Sequence, residues 1–294
     1  MTLSGNKPSG YGAGKPLADH APAHDAWRLA PTRNWARVLR LRARHGIWLL
    51  LAFLLCLSIG ALSGETDLSP TAAALLKWTP VILRGFALNI LMSVIAMAIG
   101  TVGGFVLGIA QISHRTVIRR GSWLFTEFFR NAPWLVLLFY CMFLLPFQVK
   151  IGSAIIPVPD WVKATFGLAL SVAGNVSEIV RGGLQSIPST QWEAAESMAF
   201  SRRVILWQII IPQCVKRMLP PWMNLYALLI MATPLASIVG VNDAMTMTQA
   251  AITAEGRHEL VGPMYLYLMC LFFVYSYPIT WWTDRLERRY VVMM

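Results

Sequence analysis

The chain has 294 residues, of which 56% are apolar and only 13% charged, and it carries a formal net charge of +11. Soluble domains carry roughly 25% charged residues, so this chain has too little polar surface for a water-soluble globule and its composition indicates an integral membrane protein. Cys56, Cys141, Cys214 and Cys270 lie in or beside apolar stretches without a CxxC pair, which argues against both a disulfide framework and a zinc site.

Residues 1–45 are polar and rich in Gly, Pro and His, and they carry Lys7, Lys15, Arg28, Arg33, Arg37, Arg40, Arg42 and Arg44. They are expected to form a disordered, basic cytoplasmic tail. Residues 46–84 then hold a first apolar span, Ile47 to Leu62, followed by a periplasmic loop. That span starts too far into the chain for a cleavable signal peptide and no A-x-A site follows it, so it reads as a retained helix.

Five further stretches approach the roughly 20 apolar residues a membrane span requires: Gly85 to Ile112, Phe125 to Phe147, Trp161 to Ile179, Met218 to Gly240 and Leu260 to Trp282. The second of these is the least regular, because Glu127 and Arg130 sit near its start and Pro133 interrupts it. Trp78, Trp123, Trp161, Trp222, Trp281 and Trp282 fall near span ends, as an interfacial aromatic belt would place them. The expected fold class is an all-α, multi-pass membrane protein with six transmembrane helices.

The basic residues fix an orientation. With both termini cytoplasmic, 20 of the 25 Lys and Arg residues fall on the inner side, leaving only Lys77, Arg84, Lys150, Lys163 and Arg257 outside. Charge sorted by membrane side, rather than gathered on one soluble module, also argues against nucleic acid as a partner.

Catalytic signatures are missing from the sequence. It contains no G-x-x-x-x-G-K-[ST], no GxSxG elbow and no HExxH. His20, His24, His45, His114 and His258 have no chelating spacing and lie outside the expected spans. The chain is therefore expected to have no catalytic residues, no metal site and no cofactor, and to be a non-enzymatic subunit.

The most informative segment is the loop at about 186–213. Pro188 ends what precedes it, and Thr190-x-x-Glu193 reads as a capping box opening a short helix with Ala194, Ala195, Met198 and Ala199 on or near one face. Trp192 and Phe200 could anchor its ends, and Glu193 offers a charge to a partner's Arg. Such a helix could dock on a partner or merely cover the ends of the bundle. Among the spans, Gly100-x-x-x-Gly104-x-x-x-Gly108 is a small-residue ridge suited to close helix packing. Glu178 and Arg181, one turn apart, read as an intrahelical ion pair. Asn89, Asn175, Asn224, Thr233 and Ser237 are neutral polar groups that could line a translocation path or bond between helices.

These residues carry a resemblance. Glu193-Ala194-Ala195, three residues, position 199 and then Ile209-x-x-Pro212 resemble the EAA loop of ABC importer permease subunits. The entering stretch from Asn175 to Pro188, the segment from Phe129 to Pro133, Ser237 to Val241 and Leu286 to Arg289 resemble the polar amino acid subfamily. The resemblance spans residues 85–290 and implies a five-helix permease core in a bacterial inner membrane, to which the first span is an N-terminal addition. It further implies a second permease subunit, the same or related, two ATPase subunits and a periplasmic substrate-binding protein. By its charge alone, the basic tail is expected to touch membrane lipid. The EAA segment would be the coupling helix, with Glu193, Ala194, Ala195 and Ala199 docking on the ATPase and Arg202 and Arg203 as secondary contacts.

Two positions depart from the family pattern. Ala199 stands where the family usually has Gly, and Met231-Ala232-Thr233-Pro234-Leu235 replaces a Lys, a polar residue and Thr-Ser-Leu, which loosens the inference to a simple polar amino acid as substrate. A self-sufficient secondary transporter is the alternative, but the spans offer few carboxylates for ion coupling and no clear inverted repeat.

Overall fold

Helix α1, Pro70–Gln111, is the longest element of the computed structural model, which describes residues 70–151 and 153–291. The basic tail and the expected span Ile47 to Leu62 lie outside the described residues. At 42 residues, α1 begins 15 residues before the expected Gly85, so Lys77 and Arg84 sit on helix rather than in a loop. The run Ala72-Ala73-Ala74-Leu75-Leu76 has high helix propensity and extends the rod outward past Pro80. The extension is held at its outer end by Glu255, which accepts hydrogen bonds from Lys77 Nζ at 2.7 Å and Trp78 Nε1 at 2.8 Å. The Lys77 hydrogen bond holds the Glu255 carboxyl below the ordinary glutamate range, so it stays charged at neutral pH.

The next expected span is two helices. α2, Thr116–Asn131, ends at Ala132 and α3, Trp134–Leu144, starts after Pro133, which caps it in an extended conformation. Proline forces its predecessor out of the helical region, and the chain turns there. Between α3 and the next helix lies an antiparallel hairpin, β1 Gln148–Ile151 and β2 Ala154–Pro157, with Val149 opposite Ile156. This corrects the all-α expectation: the β-branched run Val149, Ile151, Ile155, Ile156 suits a strand.

α4, Asp160–Gln185, is the central helix, and its packing with α1 is the most extensive in the molecule. Glycines explain how close the two come. A Cβ on Gly100 would stand 2.4 Å from Val172 Cγ1, one on Gly104 2.6 Å from Val176 Cβ, and one on Gly108 2.6 Å from Val180 Cβ. The expected ridge is therefore real, and its complement is a valine row at the same four-residue spacing on α4. α4 also uses Gly174 against the Arg130 backbone of α2 and Gly167 against the Leu137 carbonyl of α3. Gln111 of α1, Thr126 of α2 and Ser177 of α4 form a buried triangle of hydrogen bonds, with Gln111 donating to Ser177 at 2.7 Å and to Thr126 at 3.0 Å.

After α4 come the short helix α5, Ser189–Ser197, and then one rod from Arg202 to Val239. The rod starts with α6, Arg202–Val204, widens into a π-turn, Ile205–Ile210, continues as α7, Ile211–Ala232, and tightens into a 3₁₀ stretch, Thr233–Val239. The π-turn sits just ahead of Pro212, whose ring would clash with the carbonyl four residues back in a regular helix. The rod thus begins 16 residues before the expected Met218. Pro234 lies at the start of the 3₁₀ stretch, so it ends α7 rather than breaking a span in its middle. Gly240, at φ 91°, then turns the chain into α8, Ala244–Glu255, a helix absent from the expected set. α9, Val261–Val291, closes the bundle, and Tyr226 of α7 and Tyr275 of α9 share a hydrogen bond at 2.8 Å.

Among the described residues, three helices are long and apolar enough to cross a membrane: Pro70–Gln111, Arg202–Val239 and His258–Arg288. α4 is as central as these but more polar, and α3 is apolar but only 11 residues long. Two apolar cores result, one around Leu138, Leu168, Val172 and Leu229, the other around Ile82, Phe86, Met264 and Leu268.

Candidate functional site

α5 is the only helix of the described residues that stands across the break between α4 and the rod, and its local chemistry explains its shape. α4 ends at Gln185, and Pro188, at φ −55° and ψ 142°, serves as the N-cap of α5. The helix therefore starts one residue before the expected Thr190 cap, and no side chain caps it. Proline supplies the extended geometry a cap needs but no acceptor, so the Thr190–Glu193 box does not form.

Its C-terminus is a full Schellman motif. Phe200 N donates to Ala195 O at 3.4 Å and Ala199 N to Glu196 O at 2.9 Å, with Ala199 in the left-handed region at φ 58°. Ala199 is the one non-glycine residue with positive φ among the described residues. This is the position where the resembled family carries Gly, and the geometry gives the reason: the motif needs a left-handed residue, and a Cβ there costs about 1 kcal/mol. Ala199→Gly is expected to raise the stability of the loop by about 1 kcal/mol, read as slower hydrogen exchange at Ala199 and Phe200 with the rest of the bundle unchanged.

The four residues of the EAA pattern do not share one face. Ala195 is buried, at 4% exposure, and together with half-buried Trp192 it packs onto the core that includes Ile205 and Ile210 of the π-turn. Glu193, Ala194 and Ala199 face outward, in company with Glu196, Ser197 and Met198, the last 68% exposed. Phe200 is exposed rather than an anchor. Arg202 and Arg203 are exposed at the start of the rod. The loop is fastened at its base by Arg217 of α7, whose Nη1 donates to the Ser186 carbonyl at 2.6 Å and to Ser186 Oγ at 3.0 Å. Arg217 was missed in the sequence because its partner lies 31 residues away. α5 is thus fastened at the stem that enters it, with one face packed on its own bundle and the other free.

The ion pair at the end of α4 is present. Arg181 grips Glu178 through Nη2 at 2.7 Å and Nε at 3.0 Å, and Arg130 of α2 approaches the same carboxylate at 3.5 Å. The pair therefore also joins helices, tying the α2 end beside Pro133 to the helix that leads into α5.

The five polar residues read as a possible path separate into two groups. Asn89 and Thr233 come together: Asn89 Nδ2 donates to Thr233 Oγ1 and to Asp243 Oδ2, both at 3.1 Å, and Asn89 Oδ1 accepts from Ala244 N at 3.0 Å. All three side chains are fully buried, so they form a knot between α1, the 3₁₀ stretch and the N-terminus of α8. Asp243 was missed; its place just before Ala244-Met245-Thr246 is an N-cap signal, and its Oδ1 accepts from Thr246 N at 3.0 Å. Asn175 and Ser237 bond to their own helices, at Ser171 O and Pro234 O, and Asn224 is exposed on α7. Among the described residues, no group of His, Cys, Asp or Glu could hold a metal ion.

Known proteins share this arrangement. An amino acid ABC transporter of known crystal structure superposes with a TM-score of 0.64 at 22% identity, covering 74% of this chain and 97% of that one. The MetNI methionine ABC transporter in an inward-facing conformation follows at 0.57 and 16%, over 72% and 96%. In sequence, the inner membrane amino-acid ABC transporter permease protein YhdY of Escherichia coli K12 is 28% identical over 70% of this chain and 55% of its own length, so the chain spans about half of that relative. The probable amino-acid ABC transporter permease protein YckA of Bacillus subtilis is 30% identical over 72% of this chain and 89% of its own. Residues 100–292 match the sequence profile described as binding-protein-dependent transport system inner membrane component, and the chain belongs to that family.

Proposed function

We propose that this chain is the transmembrane permease subunit of an ABC importer that moves amino acids or amino-acid-like compounds into a bacterial cytoplasm by alternating access. The observation that carries the reading is α5: a helix fastened at its entering stem, with Glu193, Ala194 and Ala199 exposed, packed through Ala195 and Trp192 on the elbow of a rod long enough to cross the membrane. A partner that pushes on α5 moves that rod. The partner is an ATPase subunit, with ATP hydrolysis entirely on it. Ala195 acts in this scheme as the fixed side of the contact, and Arg202 and Arg203 flank its free side. The substrate class follows the relatives named for amino-acid transport.

The pore is formed with a second permease subunit, the same or related, and a periplasmic binding protein delivers substrate. The five-helix core occupies residues 85–290, with an added helix before it and the basic tail at 1–45, and both termini are cytoplasmic. The distribution of the 25 basic residues supports that orientation, in which α5 lies on the side of the ATPase.

Glu193→Lys tests the docking. In proteoliposomes holding the chain and its partner subunits, uptake is expected to fall about tenfold or more, the change that accompanies ~1.4 kcal/mol, with membrane insertion unaltered. Full uptake by that variant, or transport by the purified chain without any ATPase, would sink the reading.

A further inference from the structure

Beside the elbow of the rod lies a cleft of about 420 Å³. It opens where α1 ends at Gln111 and the chain turns into α2, facing α6 and the π-turn. Val106 and Ile109 of α1 and Leu206 and Trp207 of the π-turn make its walls. Its rim carries His114, Arg202 and Arg203, and among the described residues no acidic residue lines it. Neither arginine has an ion-pair partner among the described residues. A second hollow of about 380 Å³ lies on the other side of Arg203 and Trp207, so these two side chains form a partition between adjoining spaces.

We propose that this cleft seats one anionic phospholipid. The chemistry is divided as such a molecule is: an apolar slot that a hydrocarbon chain fills, opening at its polar end onto two guanidinium groups that bind a phosphate diester by paired N–H donors. Trp207, half-exposed with its ring on the slot and beside the arginines, suits the boundary between acyl chains and headgroups. A free phosphate would satisfy the arginines but leave the slot empty, and a neutral lipid would fill the slot but leave the arginines unpaired. The wall of the slot is the π-turn on which α5 rests, and widened turns of this kind concentrate at functional sites.

The test uses the purified full-length chain, exchanged into equal mixtures of phosphatidylglycerol and phosphatidylcholine and read by native mass spectrometry. One phosphatidylglycerol is expected to remain bound, with about tenfold or greater preference, as two basic groups near a headgroup provide. Arg202→Gln with Arg203→Gln should abolish the preference. Val106→Trp, on an exposed position that keeps every charge, should fill the slot and lose the lipid. Arg119→Gln with Arg120→Gln, two neighbouring charges outside the cleft, should leave retention unchanged, and inorganic phosphate should not displace the lipid. Equal loss in the α2 variant reduces the effect to general charge attraction and overturns the proposal. So does retention in Val106→Trp, displacement by phosphate, or a dimer that Val106→Trp dissociates without change in bound lipid, which assigns the cleft to a second copy.

Discussion

Gly104→Leu is expected to prevent this chain from assembling its core, while Gly103→Ala, one residue away, is expected to leave it intact. The difference follows from what each Cβ would meet. At Gly104 it would lie 2.6 Å from both the Ala173 carbonyl oxygen and Val176 Cβ, and a backbone oxygen cannot swing aside as a flexible side chain can. α1 and α4 would have to separate along the whole Gly100–Gly108 face, opening the contact that also aligns Gln111 with Ser177. Overpacking of this kind costs about 1–3 kcal/mol for a single methylene, and a leucine side chain adds several. At Gly103 the nearest atom is Ala173 Cβ at 3.6 Å, an ordinary contact, and alanine gains about 1 kcal/mol of helix propensity. Thermal melting in detergent, followed by protease resistance of α4, separates the two. Equal stability of both variants would mean that α1 and α4 do not pack as the glycine row indicates.

That glycine row was readable because its spacing alone names a face; its valine partner was not, since Val172, Val176 and Val180 look in sequence like any apolar helix surface. The same asymmetry runs through the molecule. The broken span at Pro133 was visible as an irregularity, for proline acts locally, but the start of α1 at Pro70 was not. Lys77 and Arg84 interrupt its apolar run, and only their tertiary setting, Glu255 in the case of Lys77, makes a helix there acceptable. α8 was hidden for another reason: Ala244-Met245-Thr246-Met247-Thr248 has weak periodicity, and the cap that starts it depends on an asparagine 154 positions earlier. In the loop at 186–213 the motif was legible and its split into a buried and a free face was not. Which side of a helix meets its own bundle depends on where Trp192 finds a cavity. The left-handed turn at Ala199 was signalled only as a departure from a pattern, and the φ of 58° explains why the pattern exists.

Both polar atoms of the Asn89 amide are engaged in the bundle interior, which makes it the polar residue whose loss should be most damaging. Its Nδ2 supports Thr233 and Asp243, its Oδ1 receives the Ala244 N–H, and every partner is sealed from solvent. Asn89→Leu has a similar volume, so the damage is not a cavity; it is one buried carboxylate deprived of a donor and one backbone N–H deprived of an acceptor. An orphaned buried polar group costs about 1–3 kcal/mol, and more when charged, so a loss of about 3 kcal/mol or more is expected. The α8 N-terminus, freed from α1, would be the first part to exchange its amide hydrogens. A double-mutant cycle isolates the contact. Asn89→Ala and Asp243→Ala should each destabilise strongly but together cost clearly less than their sum, because the second substitution removes the group that the first left unpaired. Additive losses would mean that Asp243 finds its compensation elsewhere, and that Asn89 holds the helices through Thr233 and the Ala244 N–H.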